Sequence, residues 1–186
     1  MADVLLGNAP NLQSFLETIL ILATDVSDMA SQKLALIFLF KFVTTFGATQ
    51  SNGATAPAKA NRATIPVPGI EQFIYSRILL ACFTIPSLPA FDPKDAMAVI
   101  VCVTLSWALL WSLIPAQVLN EVGNLLQGIV KARGDEAVHH IQNVFLPSQN
   151  CPPDTAQALV VNIRDMDNKA FRKYFSEFIK STRPPQ

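Results

Sequence analysis

The stretch Met97–Ala116, MAVIVCVTLSWALLWSLIPA, decides how this chain is interpreted, because its twenty residues carry no charge. A bilayer core needs about 20 apolar residues in a helix, so in isolation the run is typical of a transmembrane span. The segments on either side have the pattern of soluble amphipathic helices. The sequence therefore allows a membrane-anchored protein with soluble flanks, or a soluble helical array with an apolar insert at 97–116. We favour the second interpretation.

Composition excludes some classes of protein. The chain has 186 residues, of which 51% are hydrophobic, and its 14 basic and 14 acidic side chains give a net charge of zero. Because the net charge is zero, the composition gives no indication that the protein binds a nucleic acid. Three widely spaced cysteines suit a reducing compartment better than a disulfide framework. The first ten residues lack a basic region followed by an apolar core, which argues against a cleaved signal peptide.

The residues before the run predict a helical hairpin over 1–47 and a flexible linker over 48–68. Apolar residues recur at helical spacing, with Asn11 and Asp28 as expected N-caps. The buried side of the second helix is expected to carry Leu34, Ile37, Phe38 and Phe42. Gly47 is expected to end that helix in a left-handed conformation. The linker, ATQSNGATAPAKANRATIPVP, is small, polar and proline-bearing.

The remainder, 69–186, predicts further helices joined by short turns. Pro115 is expected to kink or end a helix, and beyond it one face carries apolar residues: Val118, Val122, Leu125, Leu126 and Ile129. Gly134 is expected to end that helix. Because no strand periodicity is convincing, the prediction is an all-α protein, a fragment of a helical-repeat solenoid of the HEAT kind.

The sequence indicates no catalytic, metal or cofactor site. His139 and His140 are adjacent on a helix and so diverge by roughly 100°, and with Cys151 they do not make a zinc ligand set. Asp165 and Asp167 are explained as capping residues at a helix junction. No phosphate-binding loop or hydrolase motif occurs in the sequence. We therefore expect a binding protein and not an enzyme.

The last helix differs from the others in its charge. Residues 167–183 contain five basic and two acidic side chains, and an aromatic stripe of Phe171, Tyr174, Phe175 and Phe178. A solvated polar face is the simpler explanation for the basic residues. The alternative is contact with a phosphate backbone, for which the candidate RNA-binding residues are Arg172, Lys173 and Lys180.

Several segments resemble fungal exportin-T, the nuclear export receptor for transfer RNA. The segments are PGIEQFIYSR, AFDPKDA, QVLNEVGNLLQGIVKARGDE and DNKAFRKYFSEFIKS, preceded by NAPNLQSFLETILILATDV and SQKLALIFLFKFV. They occur in the order of the C-terminal end of those proteins. The resemblance implies a HEAT-repeat fragment with transfer RNA, Ran-GTP and nuclear pore proteins as partners, shuttling between nucleus and cytoplasm. It also implies that the arch that holds Ran lies outside these residues, and it implies no membrane partner.

The run 97–116 departs from that family pattern, in which a KDA-type segment leads almost directly into a QVL-type helix. An uncharged insert at such a junction is what a retained intron would produce, which we state as a hypothesis. Comparing the transcript with genomic DNA across 96–118 tests it. Two rival interpretations stay open: a single-span membrane protein with small helical flanks, and a helical scaffold that binds only proteins.

Overall fold

The computed structural model describes residues 9–25, 28–47, 69–87, 105–149 and 151–182, and every regular element in these ranges is a helix. This confirms the all-α prediction. In chain order the helices are α1 (Ala9–Thr24), α2 (Met29–Phe46), α3 (70–87), α4 (Leu105–Arg133), α5 (135–148), α6 (Pro153–Asp165) and α7 (Asn168–Thr182). Helices α3 and α5 each contain a π-helical turn, at Ile74–Ile78 and Ile141–Phe145. The predicted linker 48–68 lies outside the described residues.

Local signals at the helix ends were partly correct. The Asp28 carboxylate accepts hydrogen bonds from the backbone N–H groups of Ala30 (3.0 Å) and Ser31 (3.2 Å), which confirms the cap of α2. Asn11 was wrongly predicted as a cap, because α1 already begins at Ala9. Gly47 follows the last residue of α2, as predicted, but its predicted left-handed conformation is wrong: its φ of −82° is right-handed, and its N–H donates to Val43 O at 2.7 Å.

The predicted buried side of α2 is correct in part: Phe42 is buried and Phe38 packs against the core, whereas Leu34 does not face it. Leu34 is 66% exposed, whereas the side that faces the core carries Gln32, Ala35, Leu36, Leu39, Phe42 and Val43. Apolar residues occur all round this helix, so their spacing alone does not select one face. The buried Gln32 is held by a hydrogen bond from its Nε2 to Ala23 O, at 2.9 Å, which fixes α2 against the end of α1.

Helix α4 is the longest element and crosses the end of the apolar run without a break. It extends from Leu105 through Pro115 to Arg133. Pro115 was expected to kink or end a helix, and the structure shows that it does not end one. Residues 97–104, and the side chains of 105–116, lie outside the described residues. From 117 onward the predicted apolar face is confirmed: Val118, Val122, Leu125, Leu126 and Ile129 are all fully buried.

The helices pack as stacked pairs. Within the described residues α1 contacts α2 and also α3, while α2 has its most extensive contacts with α4, and α3 also contacts α4. The pair α1–α2 therefore lies against the pair α3–α4, helix by helix. Helices α6 and α7 pack on the other side of α4. This arrangement confirms a helical-repeat fragment, and it places α7 at one end of the stack.

Arg133, at the end of α4, joins four helices through one buried guanidinium group. Its side chain is 6% exposed and lies 2.8 Å from the Glu71 carboxylate of α3 and 2.7 Å from that of Glu136 on α5. It also donates to the Tyr75 hydroxyl (3.4 Å) and, at 3.5 Å, to the Gly47 carbonyl that follows α2. Burial lowers the pKa of Arg133, but these hydrogen bonds outweigh it and raise the pKa, so the charge is retained.

Candidate nucleic-acid interface

The orientation of α7 is fixed by its cap and by its aromatic stripe. The Asp167 carboxylate accepts from the N–H groups of Lys169 and Ala170, both at 2.8 Å, and these bonds lower the pKa of that carboxyl group. Phe171 and Phe175 are almost fully buried and stack at a centroid distance of 5.8 Å. Phe178 is buried as well. The predicted stripe is confirmed, with Tyr174 half-buried at its edge.

The opposite side of α7 presents the basic residues. Lys169 and Lys173 are exposed and Arg172 is half-buried. Positions three and four residues apart lie on one side of a helix, so these cations are neighbours. Two of the three candidate RNA-binding residues, Arg172 and Lys173, are consecutive in the chain, and each lies beside Lys169 on this side of α7. The side chain of the third, Lys180, lies outside the described residues.

The side chain of Arg172 makes close contacts at two of its atoms, Nε and Cγ. Its Nε donates to the Asn168 carbonyl at 3.0 Å. Its Cγ lies so close to α4 that a Cβ added to Gly123 would be 3.3 Å away. A long side chain that is ordered in this way loses less conformational entropy when its guanidinium binds an anion. The side chain of Arg172 is thus partly ordered on this face.

The basic face borders an open groove of about 400 Å³ between α4 and α7. The lining residues are Asn120, Lys169, Arg172, Lys173, Ser176 and Glu177. Three cations with an amide and a hydroxyl provide donors for phosphate oxygens, while the single carboxylate of Glu177 partly offsets the positive charge. This composition suits contact with a phosphate backbone.

Sequence reasoning missed two residues of this region because they belong to another helix. Asn120 lines the groove from α4. Lys131, near the end of α4, donates from Nζ to Asn168 Oδ1 at 3.0 Å and so adds a cation beside the start of α7. No sequence signal connects either residue with Arg172. The pairing of α4 with α7 brings them together.

His139, His140 and Cys151, which were considered for metal binding, lie in different surroundings. His139 is exposed, and the ring of His140 stacks on Tyr75 at a centroid distance of 4.4 Å. Burial lowers the pKa of His140 and raises that of the half-buried Cys151. Across the described part of the chain no three His, Cys, Asp or Glu side chains are grouped to hold a metal ion.

One helix of the described residues, Met29–Phe46, is long and apolar enough to cross a membrane by length and composition, with 33% of its residues buried inside the protein. It is a weak membrane signal, because a helix that packs in a protein core passes the same test. Here α2 contributes Leu36, Leu39 and Val43 to the core at 0% exposure. The predicted alternative span, 97–116, is only partly described and is not tested by this observation.

The fold defines a class: an all-α fragment of a helical-repeat protein. The family model of exportin-T matches residues 1–183, so the chain belongs to the exportin-T family. The chain is 41% identical to exportin-T of Laccaria bicolor, 36% to that of Coprinopsis cinerea and 33% to that of Mycosarcoma maydis. Each match covers 95% of this chain and 14% of the relative. No solved structure gives a significant match.

Proposed function

We propose that this chain is part of a nuclear export receptor that carries transfer RNA through the nuclear pore together with Ran in its GTP form. Membership of the exportin-T family carries the proposal. Because the chain spans about 14% of the length of these relatives, the activity belongs to a longer receptor to which this segment contributes. Such a receptor shuttles between nucleus and cytoplasm and contacts nuclear pore proteins. We further propose that its helix pairs are repeats of the HEAT kind. In this proposal the chain consists of a helical hairpin (1–47), a linker (48–68) and the C-terminal helices (69–186).

The proposed contribution of this segment is a contact between the basic face of α7 and the backbone of the transfer RNA. Arg172 and Lys173 line one groove with Lys169, and Lys180 belongs to the same helix. Folded RNA presents proteins mainly with phosphates and ribose, so the contact depends on the shape of the RNA and not on its sequence. Ran binds elsewhere in the receptor, outside these residues.

The test is a triple charge reversal in the full-length receptor: Arg172→Glu, Lys173→Glu and Lys180→Glu. Glutamate keeps the Cγ that Arg172 places near Gly123, so the packing of α7 is largely preserved. Transfer-RNA binding in the presence of Ran-GTP should weaken at low salt. The slope of log affinity against log salt should fall by roughly 0.7–0.9 for each lost phosphate contact. Fluorescence anisotropy over a salt series measures both quantities.

A matched control reverses three cations on other helices. Lys41, Arg77 and Arg164 are exposed, and their joint replacement by glutamate changes the net charge by the same amount. This control should leave the salt slope nearly unchanged, because a contact requires short distances and not only net charge. Equal losses of transfer-RNA affinity in the two triple variants would show that the effect depends only on net charge. Unchanged affinity in the α7 variant would leave α7 as a structural end cap.

The membrane and scaffold alternatives have separate tests. Alkaline carbonate extraction of cells that express the chain should leave it in the soluble fraction if 97–116 does not span a bilayer. Retention in the membrane pellet would favour the single-span protein. A scaffold that binds only proteins would form its complexes equally well after ribonuclease treatment, and it would show no Ran-dependent binding of transfer RNA.

A further inference from the structure

Gln127 of α4 is a polar residue that is buried beside the turn between α6 and α7, with 1% of it exposed. Its Nε2 donates to the Met166 carbonyl at 3.0 Å and to the Ile163 carbonyl at 3.3 Å. Because carbonyl oxygens only accept hydrogen bonds, the NH2 group is the part of the amide that faces them. Ile163 belongs to the last turn of α6, and Met166 directly precedes the Asp167 cap of α7. One side chain of α4 therefore fixes this turn.

An amide is an unfavourable choice at position 127 if packing is its only role. The Oε1 atom of Gln127 is buried and has no hydrogen-bond partner among the residues that the structure describes. A buried acceptor that is left unpaired destabilises the folded state. Methionine has a similar length and carries no such penalty, but it cannot donate to the two carbonyls. The two hydrogen bonds are thus what distinguishes Gln127 from an apolar residue.

Two further contacts lie on the same side of α4, four residues before and four residues after Gln127. A Cβ added to Gly123 would be 3.3 Å from Arg172 Cγ, and Lys131 Nζ donates to Asn168 Oδ1 at 3.0 Å. The first is a van der Waals contact and the second is an exposed hydrogen bond of a flexible side chain. The hydrogen bonds of Gln127 are the buried, directional part of this row.

The aromatic stripe docks α7 but does not by itself set the direction of the helix. Burial of Phe171 and Phe175 is non-directional, whereas hydrogen bonds have preferred distances and angles. A rotation of roughly 10° at the start of a helix moves a residue three turns further along, about 16 Å away, by about 3 Å. Such a displacement separates a cation that contacts a phosphate from one that does not.

We propose that Gln127 is a positioning residue for the basic face of α7. Its hydrogen bonds to the turn before α7 set the direction in which Arg172 and Lys173 face the phosphates of the RNA. Because Gln127 is buried, it acts through α7 and does not touch the RNA itself. The inference rests on the proposed function of α7, and it adds a residue of another helix on which that function depends.

The test is Gln127→Met in the full-length receptor, with Gln32→Met as the matched control. Gln32 is 0% exposed, its Nε2 donates to Ala23 O at the end of α1 at 2.9 Å, and its Oε1 also has no partner within the described ranges. Both substitutions remove a buried donor from a carbonyl at the end of a helix. Both should therefore lower the melting temperature by similar amounts.

Only Gln127→Met should change the binding of transfer RNA in the presence of Ran-GTP. Its affinity at low salt should fall roughly fivefold, which is within the range for a residue that acts through its neighbours. The salt dependence should also become less steep, because fewer phosphates are contacted. Gln127→His keeps an N–H donor near the position of Nε2 and should preserve both the affinity and the salt slope. Fluorescence anisotropy over a salt series measures these quantities.

A double-mutant cycle separates positioning from a general loss of stability. When Arg172, Lys173 and Lys180 are already replaced by glutamate, Gln127→Met should weaken binding no further, since it acts only through those cations. A further loss in that background, or equal affinities of Gln127→Met and Gln32→Met, would overturn the positioning role. So would unfolding of Gln127→Met under conditions in which Gln32→Met stays folded. If the charge reversal alone has no effect, the proposed RNA contact fails and the positioning role fails with it.

Discussion

The ring of Phe40 on α2 lies directly over the backbone of Gly128 on α4. A Cβ added to Gly128 would be 2.9 Å from both Cδ2 and Cε2 of that ring, and 3.5 Å from Thr44 Cγ2. The most extensive helix–helix contact of the fold therefore includes a point at which only a glycine permits the observed approach. Glycine inside a helix lowers helix stability by about 1 kcal/mol relative to alanine. At this position the lower helix propensity accompanies the close packing of α2 on α4.

Gly128→Ala should destabilise the protein by about 1 kcal/mol, although alanine is the better helix former. Overpacking of a tight contact costs roughly 1–3 kcal/mol, which exceeds the gain in helix propensity. Urea unfolding followed by circular dichroism measures the difference. Gly123→Ala is the matched control, because its nearest neighbour, Arg172 Cγ at 3.3 Å, needs to move by only a few tenths of an ångström, and the substitution should be neutral or stabilising. Equal effects of the two substitutions would contradict the close approach of α2 to α4.

Phe175→Ala should lower stability much more than Lys173→Ala on the same helix. Phe175 is 1% exposed and stacks on Phe171, whereas Lys173 is exposed. Truncating a core phenylalanine to alanine costs roughly 3–5 kcal/mol. Thermal unfolding of both variants measures the difference, and similar melting temperatures would show that α7 does not dock through its aromatic stripe.

Stability should fall as the pH is lowered below the usual pKa of a glutamate. Partial burial tends to raise the pKa of Glu136, but the hydrogen bonds from Arg133 outweigh it and lower the pKa below the ordinary 4.5. Between the folded-state pKa of Glu136 and its ordinary value of 4.5, the unfolded chain binds more protons than the folded one. The stability that Glu136 contributes is therefore present above pH 4.5 and is lost as the pH falls through the folded-state pKa.

Glu136→Gln should remove this part of the pH dependence. Arg133→Met should reduce it in the same way, because it removes the guanidinium that lowers the pKa of Glu136. Unfolding free energies measured between about pH 3 and pH 6 test both variants. A pH dependence that is identical in the parent protein and in Glu136→Gln would show that the Arg133–Glu136 pair does not persist in solution.

Deletion of 97–116 should give a protein that is more soluble and at least as helical by circular dichroism. Twenty residues without charge offer no polar face to water, and the deletion joins Asp95-Ala96 to Gln117-Val118 in a pattern that continues as an amphipathic helix. Val118 and Val122, which are fully buried in the parent protein just beyond residue 116, should stay buried in the deleted protein. Aggregation or lost helicity would show that the run belongs to the core.

Local features of the sequence were sufficient for much of the secondary structure. The helical spacing of Val118, Val122 and Leu125 predicted the buried face of α4, and Asp28 and Asp167 were identified as caps. Gly134, with a φ of +59°, ends α4 as predicted. These features succeed because the interactions they describe, a helix period and a cap, span only three or four residues.

The tertiary structure decided what depends on contacts between distant segments. Spacing oriented α2 only in part, because its apolar residues occur on every side. Phe42 is buried as predicted, whereas the packing of α2 on α4 placed Leu34 outside. The buried charge of Arg133 depends on Glu71 from another helix. Likewise, Asn120 joins Arg172 at one groove only because α4 and α7 pack together. Short-range preferences fix a helix and its ends, whereas its neighbours are selected by burial and close packing across the fold.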